Sequence, residues 1–222
     1  MEFRVVCISR TIAAGGEGIG ELVAQRLGFR YMDEEIITRA AQEAHVDASL
    51  LAAAEHRQTF LKRLIEKLDT ALRVAGAPVS VLDGTPLDIA VGTSTGQRVP
   101  PDDLRALIRA AIHEVATAGQ AVIVAHAASL ALGGMEGVLR VLVTASPGTR
   151  AQRLAAAQAV SINAAADAVA ASDHERRDYL ESFYSVKQEL PTRYDLVVNT
   201  DVLTQQQVAD LILAVTQTSP LA

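Results

Sequence analysis

Residues 13–20, AAGGEGIG, hold four glycines in eight positions. Glycine lets backbone N–H groups turn inward and approach a ligand closely, and a row of such amides attracts an anion. From Gly18 onward Ile19, Leu22, Val23, Ala24 and Leu27 recur at helical spacing. A helix started there adds its own N-terminal amides to those of the loop, and the chemistry this suits is phosphate binding. Gly15, Gly16, Glu17 and Gly18 are therefore candidate phosphate contacts, with Arg10 the nearest cation. Basic side chains recur later at helical spacings. Arg150 and Arg153 lie three apart, while Arg176 and Arg177 follow Asp173 by three and four, so each set shares a helix face. An ordinary solvated salt bridge, such as Asp173 with Arg177, is the competing reading for each arginine.

A loop that cradles the phosphates of ATP needs G-x-x-x-x-G-K-[ST], because the lysine neutralises the β- and γ-phosphates and the hydroxyl ligates magnesium. With Gly16 as the last glycine, Thr11 takes the first-glycine position, Glu17 the lysine's and Gly18 the hydroxyl's; with Gly15, those positions hold Arg10, Gly16 and Glu17. Neither frame supplies the lysine or the hydroxyl. The chain has three lysines, Lys62, Lys67 and Lys187, and none is near the loop in sequence. Two other readings stay open. Gly16 and Gly18 fit the dinucleotide fingerprint G-x-G-x-x-G, but position 21 is Glu; Asp33 at the end of the next strand would then take a ribose. Alternatively the loop is a turn with no ligand.

The elements that must position these residues follow from hydrophobic pattern. Residues 3–9 are a short run rich in β-branched residues with no turn former, the mark of a strand buried on both faces. A second strand ends in Asp33, and buried strands are expected at 121–125, at 138–145 and at 195–199. Helices are expected at 34–44, from Asp47 onward, from Asp102 and Asp103 to about Ala118, over an alanine-rich stretch to Glu189 with a break near Ser161, and over 204–216 with Thr204 or Thr200 as cap. Residues 60–75 carry Phe60, Leu61, Leu64, Ile65, Leu68, Ala71, Leu72 and Ala75 on one stripe. That stripe is core-facing or a homodimer contact. Residues 76–101 are irregular and rich in Gly and Pro, as lids and binding loops are. Alternating strands and helices imply a parallel sheet with helices on both faces and ligands at the strands' C-terminal ends.

Composition narrows the classes. A chain of 222 residues suits one large α/β domain. A net charge of -6, a pI near 5.4 and the lack of a basic run argue against a nucleic-acid or anionic-membrane surface. One cysteine, Cys7, excludes a disulfide framework and a thiolate metal site, and no residue is assigned as a metal ligand. The N-terminus runs straight into a strand, which predicts no signal peptide and a cytoplasmic location. Residues 115–135 are free of acidic and basic charge, yet Gln120, His126, Ser129 and Gly133-Gly134 interrupt them, so a strand and short helix fit better than a membrane span.

The stretches SRTIAAGGEGIGELVAQRLGFRYMDEEII, AVIVAHAASLAL, VLRVLVTASPGTRAQRL, DHERRDYLESFY and YDLVVNT, in that order and spacing, resemble the cytidylate kinase-like family of P-loop nucleoside monophosphate kinases. The likeness covers roughly residues 4–44 and 101–215. It implies a three-layer fold with a five-stranded parallel sheet, a single domain over residues 1–222, a divergent acceptor-binding insert at 45–100 and a helical lid at about 147–189. It also implies transfer of phosphate from ATP, with magnesium, to CMP, dCMP or a similar acceptor. Asp33 matches the family's acidic position after the second strand, and Arg153 and Arg176 match lid arginines that close on the moving phosphoryl group, with Arg150 and Arg177 beside them. Charge at such a group spreads over its equatorial oxygens, which is why cations are needed. Asn199 and Thr200 end the last strand, where this fold places the donor's adenine. Tyr179, Phe183 and Tyr184 match lid aromatics and read as packing. Two segments depart from the family: AAGGE stands where GSGGR is usual, reversing the charge at Glu17, and Ala125-His126-Ala127 stands where G-R-G is usual. A nucleotide-binding or regulatory module on the same fold, and a kinase of another acceptor, therefore remain alternatives.

Overall fold

A computed structural model describes residues 3–33, 101–125 and 127–217. The helices expected at 34–44 and after Asp47, the stripe at 60–75, nearly all of the irregular stretch at 76–101 and His126 lie outside the described residues.

Strand β1, Val5–Arg10, is the middle of a five-stranded parallel sheet. Its first five residues, Val5 to Ser9, are all almost fully buried, as an apolar run with no polar alternation requires. On one side lie β3, Ala121–Val124, and then β2, Arg30–Asp33; on the other lie β4, Val138–Thr144, and then β5, Leu196–Asn199. The order is β2-β3-β1-β4-β5, with Ile8 opposite both Val124 and Val141. The interior position of β1 agrees with a strand read as buried on both faces, and each strand end falls within two residues of expectation. Only Met32 of β2 and Val198 of β5 are buried, which suits edge strands.

Six helices accompany the sheet among the described residues: α1 Gly16–Leu27, α2 Pro101–Ala118, α3 Ala128–Ala131, α4 Pro147–Gln158, α5 Ile162–Tyr184 and α6 Gln205–Gln217. Ile19, Val23 and Ala24 of α1 and Val208, Ala209 and Ile212 of α6 share one core with Val6, Ile8, Val122, Val124, Leu139, Val141 and Val143 of the sheet. Helix α6 begins with a capping box. The Gln207 N–H donates to Thr204 Oγ1 at 3.2 Å and the Thr204 N–H to Gln207 Oε1 at 2.9 Å, so of the two caps considered Thr204 is the one used. The break near Ser161 is real: the Ser161 hydroxyl accepts from the Ala164 N–H and starts α5, and α4 and α5 meet at a bend of 118°. Ala151 and Leu154 of α4 pack on Ala165 and Val169 of α5, with Ile12 and Ala13 against them. The α4–α5 hairpin thus rests on the glycine loop.

The chain divides into two compact units, Met1–Asp33 with Ala118–Ala222, and Glu34–Thr117. The first holds the sheet and every described helix except most of α2. The second contains the insert expected at 45–100, and its described part is α2 alone. No single helix among the described residues is long and apolar enough to cross a membrane.

The β4–β5 edge carries an ion pair. The Arg140 backbone N–H and Nε donate to one Asp195 oxygen at 2.8 and 3.0 Å, and its Nη2 to the other at 2.6 Å. Partial burial pushes the Asp195 carboxyl up, but the hydrogen bonds and charge of Arg140 outweigh it and hold the group below the usual carboxylate range. A depressed folded-state pKa contributes stability that is present above the unfolded value near 3.9 and is lost as pH falls toward the folded one. Asp195→Asn should therefore lower stability at pH 7 and flatten its decline between about pH 4 and 3. Urea titrations of both proteins across that range measure this; parallel declines would show that Asp195 is not the group responsible.

Candidate phosphate site

The loop between β1 and α1 is tightly turned. The Thr11 N–H donates to the Val143 carbonyl of β4 and the Ala14 N–H to the Thr11 carbonyl, each at 3.2 Å. Gly15 sits at φ 85° as the N-cap of α1, which places the start of the helix at Gly16 rather than Gly18. A left-handed cap excludes most side chains, so glycine is required at 15 by backbone conformation. The other glycines answer to their own neighbours. A Cβ on Gly16 would lie 2.7 Å from Arg10 Cβ, on Gly18 2.5 Å from Gln205 Oε1, and on Gly20 2.4 Å from a Val124 methyl. Fixed neighbours thus account for glycine at 16, a candidate phosphate contact, and at 20, whereas at 18 the neighbour is the movable end of the Gln205 side chain. The first-turn amides of α1 still lack intrahelical acceptors and, with the helix dipole, favour an anion.

Arg10 and Glu17 form an ion pair across this turn. The Arg10 Nε–H is buried and not aimed at a hydrogen-bond acceptor, so the contact is electrostatic rather than directional. The reversed charge seen at Glu17 in sequence is therefore compensated, and Arg10 is not a spare cation.

Beside the loop lies a cavity of about 340 Å³, walled by Thr11 after β1, Thr144 and Ala145 at the end of β4, Pro147 and Arg150 of α4, Asp173, Arg176, Arg177 and Leu180 of α5, and Val186, Lys187 and Glu189 of the strap that follows. It opens at the C-terminal ends of β1 and β4, where ligands of open parallel sheets bind. Four cations meet two carboxylates there. Arg150 donates to both Asp173 oxygens at 2.8 and 2.7 Å and to the Ala145 carbonyl. Arg176 donates to both Glu189 oxygens at 2.9 and 2.6 Å and to the Arg10 carbonyl at 3.1 Å, tying α5 to the loop. Burial disfavours the Arg176 charge, yet Glu189 more than restores it and raises its pKa. Tyr194 donates its hydroxyl to Glu189 and, through burial and that carboxylate, titrates far above the usual phenol range. Among the described residues Arg177 and Lys187 form no ion pair and the buried Thr11 hydroxyl has no hydrogen-bond partner.

Of the residues singled out in sequence, Arg150, Arg176 and Arg177 come together in this cavity, and Arg10, Gly15, Gly16, Glu17 and Gly18 form the adjoining loop. Arg153 does not join them. Its guanidinium donates to Thr200 Oγ1 at 2.9 Å and to the carbonyls of Thr200 and Ala13, clamping the loop to the end of β5. Thr200 is buried and its hydroxyl donates to the Ala14 carbonyl at 2.9 Å. That leaves Asn199 as the exposed member of the pair expected at the base, and its amide is engaged with Asp201. Asp33 closes edge strand β2 opposite Val124, outside the cavity walls. Tyr179 packs against Phe183 and Tyr184 with ring centroids 4.6 and 6.2 Å away, in agreement with a packing role. Sequence reading missed Lys187, Glu189 and Thr11 as cavity residues. The one available signal was that Lys187 stands ten residues after Arg177 in a chain almost without lysine.

The donor set of the cavity fits a phosphate group: two cations without an ion pair and a hydroxyl without a hydrogen-bond partner among the described residues. It does not fit magnesium at the helix start. Glu17 is engaged with Arg10, no hydroxyl follows Gly16, and no three His, Cys, Asp or Glu side chains converge among the described residues.

A solved structure described as an uncharacterized protein from Eubacterium ventriosum ATCC 27560 superposes with a TM-score of 0.66 at 12% identity, covering 97% of this chain and 99% of that one, which shows a shared fold. Shikimate kinase from Bacteroides thetaiotaomicron gives a TM-score of 0.48 at 13% identity, with 96% of each chain covered. Shikimate kinase from Acinetobacter baumannii, in complex with shikimate, gives 0.49 at 10% identity, covering 99% of this chain and 96% of that one. Comparison with curated proteins finds no match. A family model described as the cytidylate kinase-like family matches residues 5–202. With that match spanning all five strands and helices α1 to α5, the chain belongs to the cytidylate kinase-like family.

Proposed function

We propose that the protein is a nucleoside monophosphate kinase-like phosphotransferase that moves phosphate from ATP to CMP, dCMP or a similar acceptor. The observation that carries this reading is the cavity with four basic side chains next to the glycine loop, at the C-terminal ends of β1 and β4. Phosphoryl transfer asks a protein chiefly for positioning and positive charge around the moving group. Arg177 and Lys187 offer uncompensated charge, and Arg176 links the lid helix to the loop through the Arg10 carbonyl. Magnesium enters this proposal only as a chelate of ATP. The reading also takes the protein to be cytoplasmic, with residues 45–100 selecting the acceptor and residues 60–75 available for a homodimer.

A second reading rests on the Arg10–Glu17 pair, which puts a carboxylate where ATP-binding loops carry lysine. On that reading the protein binds a nucleotide without transferring its phosphate and acts as a regulatory module. Calorimetric titration with magnesium-ATP and with CMP, paired with a coupled assay for ADP release, separates them. Micromolar binding with CMP-dependent release supports the kinase; binding without release supports the module; ADP release with another phosphate acceptor alone points to a kinase of different specificity. Absence of binding by either nucleotide overturns both readings.

A further inference from the structure

We infer that Lys187, paired with Arg177, supplies the phosphate-binding cation that the glycine loop lacks, and that the two together receive one phosphomonoester dianion. This deepens the proposed function and rests on its cavity being the phosphate site.

The argument begins with charge. Arg150 and Arg176 are each held by both oxygens of a carboxylate, so their charge is largely spent within the protein. Arg177 and Lys187 line the same cavity with no ion pair among the described residues, leaving two positive charges uncompensated. A phosphomonoester carries about -1.5 to -2 at neutral pH, which two such cations match. Lysine is suited to the task as a compact charge on a flexible stem.

Position strengthens the case, because the Lys187 backbone is anchored on both sides. Ser185, at φ 53°, closes α5; Val186 is buried against Ala127 and Leu180 and donates its N–H to the Leu180 carbonyl at 3.1 Å. Two residues further on, Glu189 is fastened to Arg176 and Tyr194. The strap therefore presents Lys187 to the cavity from a fixed backbone while its side chain stays exposed. Thr11, at the loop end of the same cavity, brings a hydroxyl without a partner. A lysine remote in sequence thus shares a cavity with the loop residue that takes the first-glycine position of a P-loop frame.

The phosphate can belong to an acceptor monophosphate or be the terminal group of ATP. Titration of the full chain with CMP, ATP and inorganic phosphate distinguishes the two. Lys187→Gln and Arg177→Gln should each weaken at least one of these ligands by about tenfold or more, the scale of one lost charge–phosphate contact, while Lys187→Arg stays near wild type. Loss confined to CMP and phosphate assigns the site to the acceptor, and loss confined to ATP assigns it to the donor. The same ligand should protect Lys187 from acetylation by acetic anhydride, read by peptide mass spectrometry, and circular dichroism should be unchanged because the side chain is exposed. If Lys187→Gln binds all three within about twofold of wild type, the inference is wrong while the proposed function survives. If the wild type binds none of them, both fall together.

Discussion

Replacing Glu189 with alanine should destabilise the protein by about 3 kcal/mol, the low end of the range for removing one partner of a buried ion pair. Arg176 is only 7% exposed, and its guanidinium is satisfied by both Glu189 oxygens and by the Arg10 carbonyl. Without Glu189 a charge remains in a poorly solvated place, and the Tyr194 hydroxyl loses its acceptor. The low end applies because the Glu189 side chain is 20% exposed, so water can enter and compensate in part. In a chain of this size the loss corresponds to a melting point lower by roughly 6–12 °C. Removing both charges, as Arg176→Met with Glu189→Leu, should cost far less, since apolar pairs of similar volume often replace buried ion pairs without penalty. Urea denaturation of the wild type and the two variants measures the difference. Equal losses for the single and double variants would mean that packing, not the unpaired charge, dominates. The single variant should also lose phosphate affinity, because the strap that presents Lys187 is fastened through Glu189.

Gly20→Val should destabilise by about 3 kcal/mol and loosen nucleotide binding at the same time. A Cβ at residue 20 lies 2.4 Å from a Val124 methyl of β3 and 3.1 Å from the Tyr31 ring of β2, both well inside contact distance. Replacing a helical glycine gains up to about 1 kcal/mol in propensity, whereas overpacking a filled core costs about 1–3. For Gly20→Ala, whose Cβ already meets the Val124 methyl, the packing cost wins by up to about 2 kcal/mol. For valine the propensity gain shrinks and two more methyls enter, so the helix must move away from the sheet. Because the glycine loop runs directly into α1, that movement carries Gly15 and Gly16 with it. Chemical denaturation and calorimetry read the two effects, and Val124→Ala in the same chain should recover part of each. Retained stability with intact binding would show that α1 shifts freely over β3 without disturbing the loop.

Strand and helix order, the burial of β1 on both faces and the break near Ser161 were legible in residue order alone. These are local properties. An apolar run such as residues 5–8 has no polar face to turn to solvent, and a serine before a helix offers its hydroxyl to the same few amides in almost any fold. The likeness that names the family is also carried in residue order, so it too was legible. The site was legible only as an inventory. Spacing put Arg150 and Arg153 in one class, three apart on one helix, yet Arg150 turns to Asp173 in the cavity while Arg153 crosses to Thr200 and the loop carbonyl of Ala13. Glu17 looked like an uncompensated acid until the turn brought Arg10 against it. Gly16 read as room for a ligand, and the fold fills that room with the Arg10 side chain. Lys187 stands more than 170 residues from Thr11 in sequence but shares a cavity with it. Periodicity reports whether a side chain faces inward, and that is settled within a turn or two of helix. Which charge it meets there depends on the packing of distant elements, and only the tertiary structure decides it.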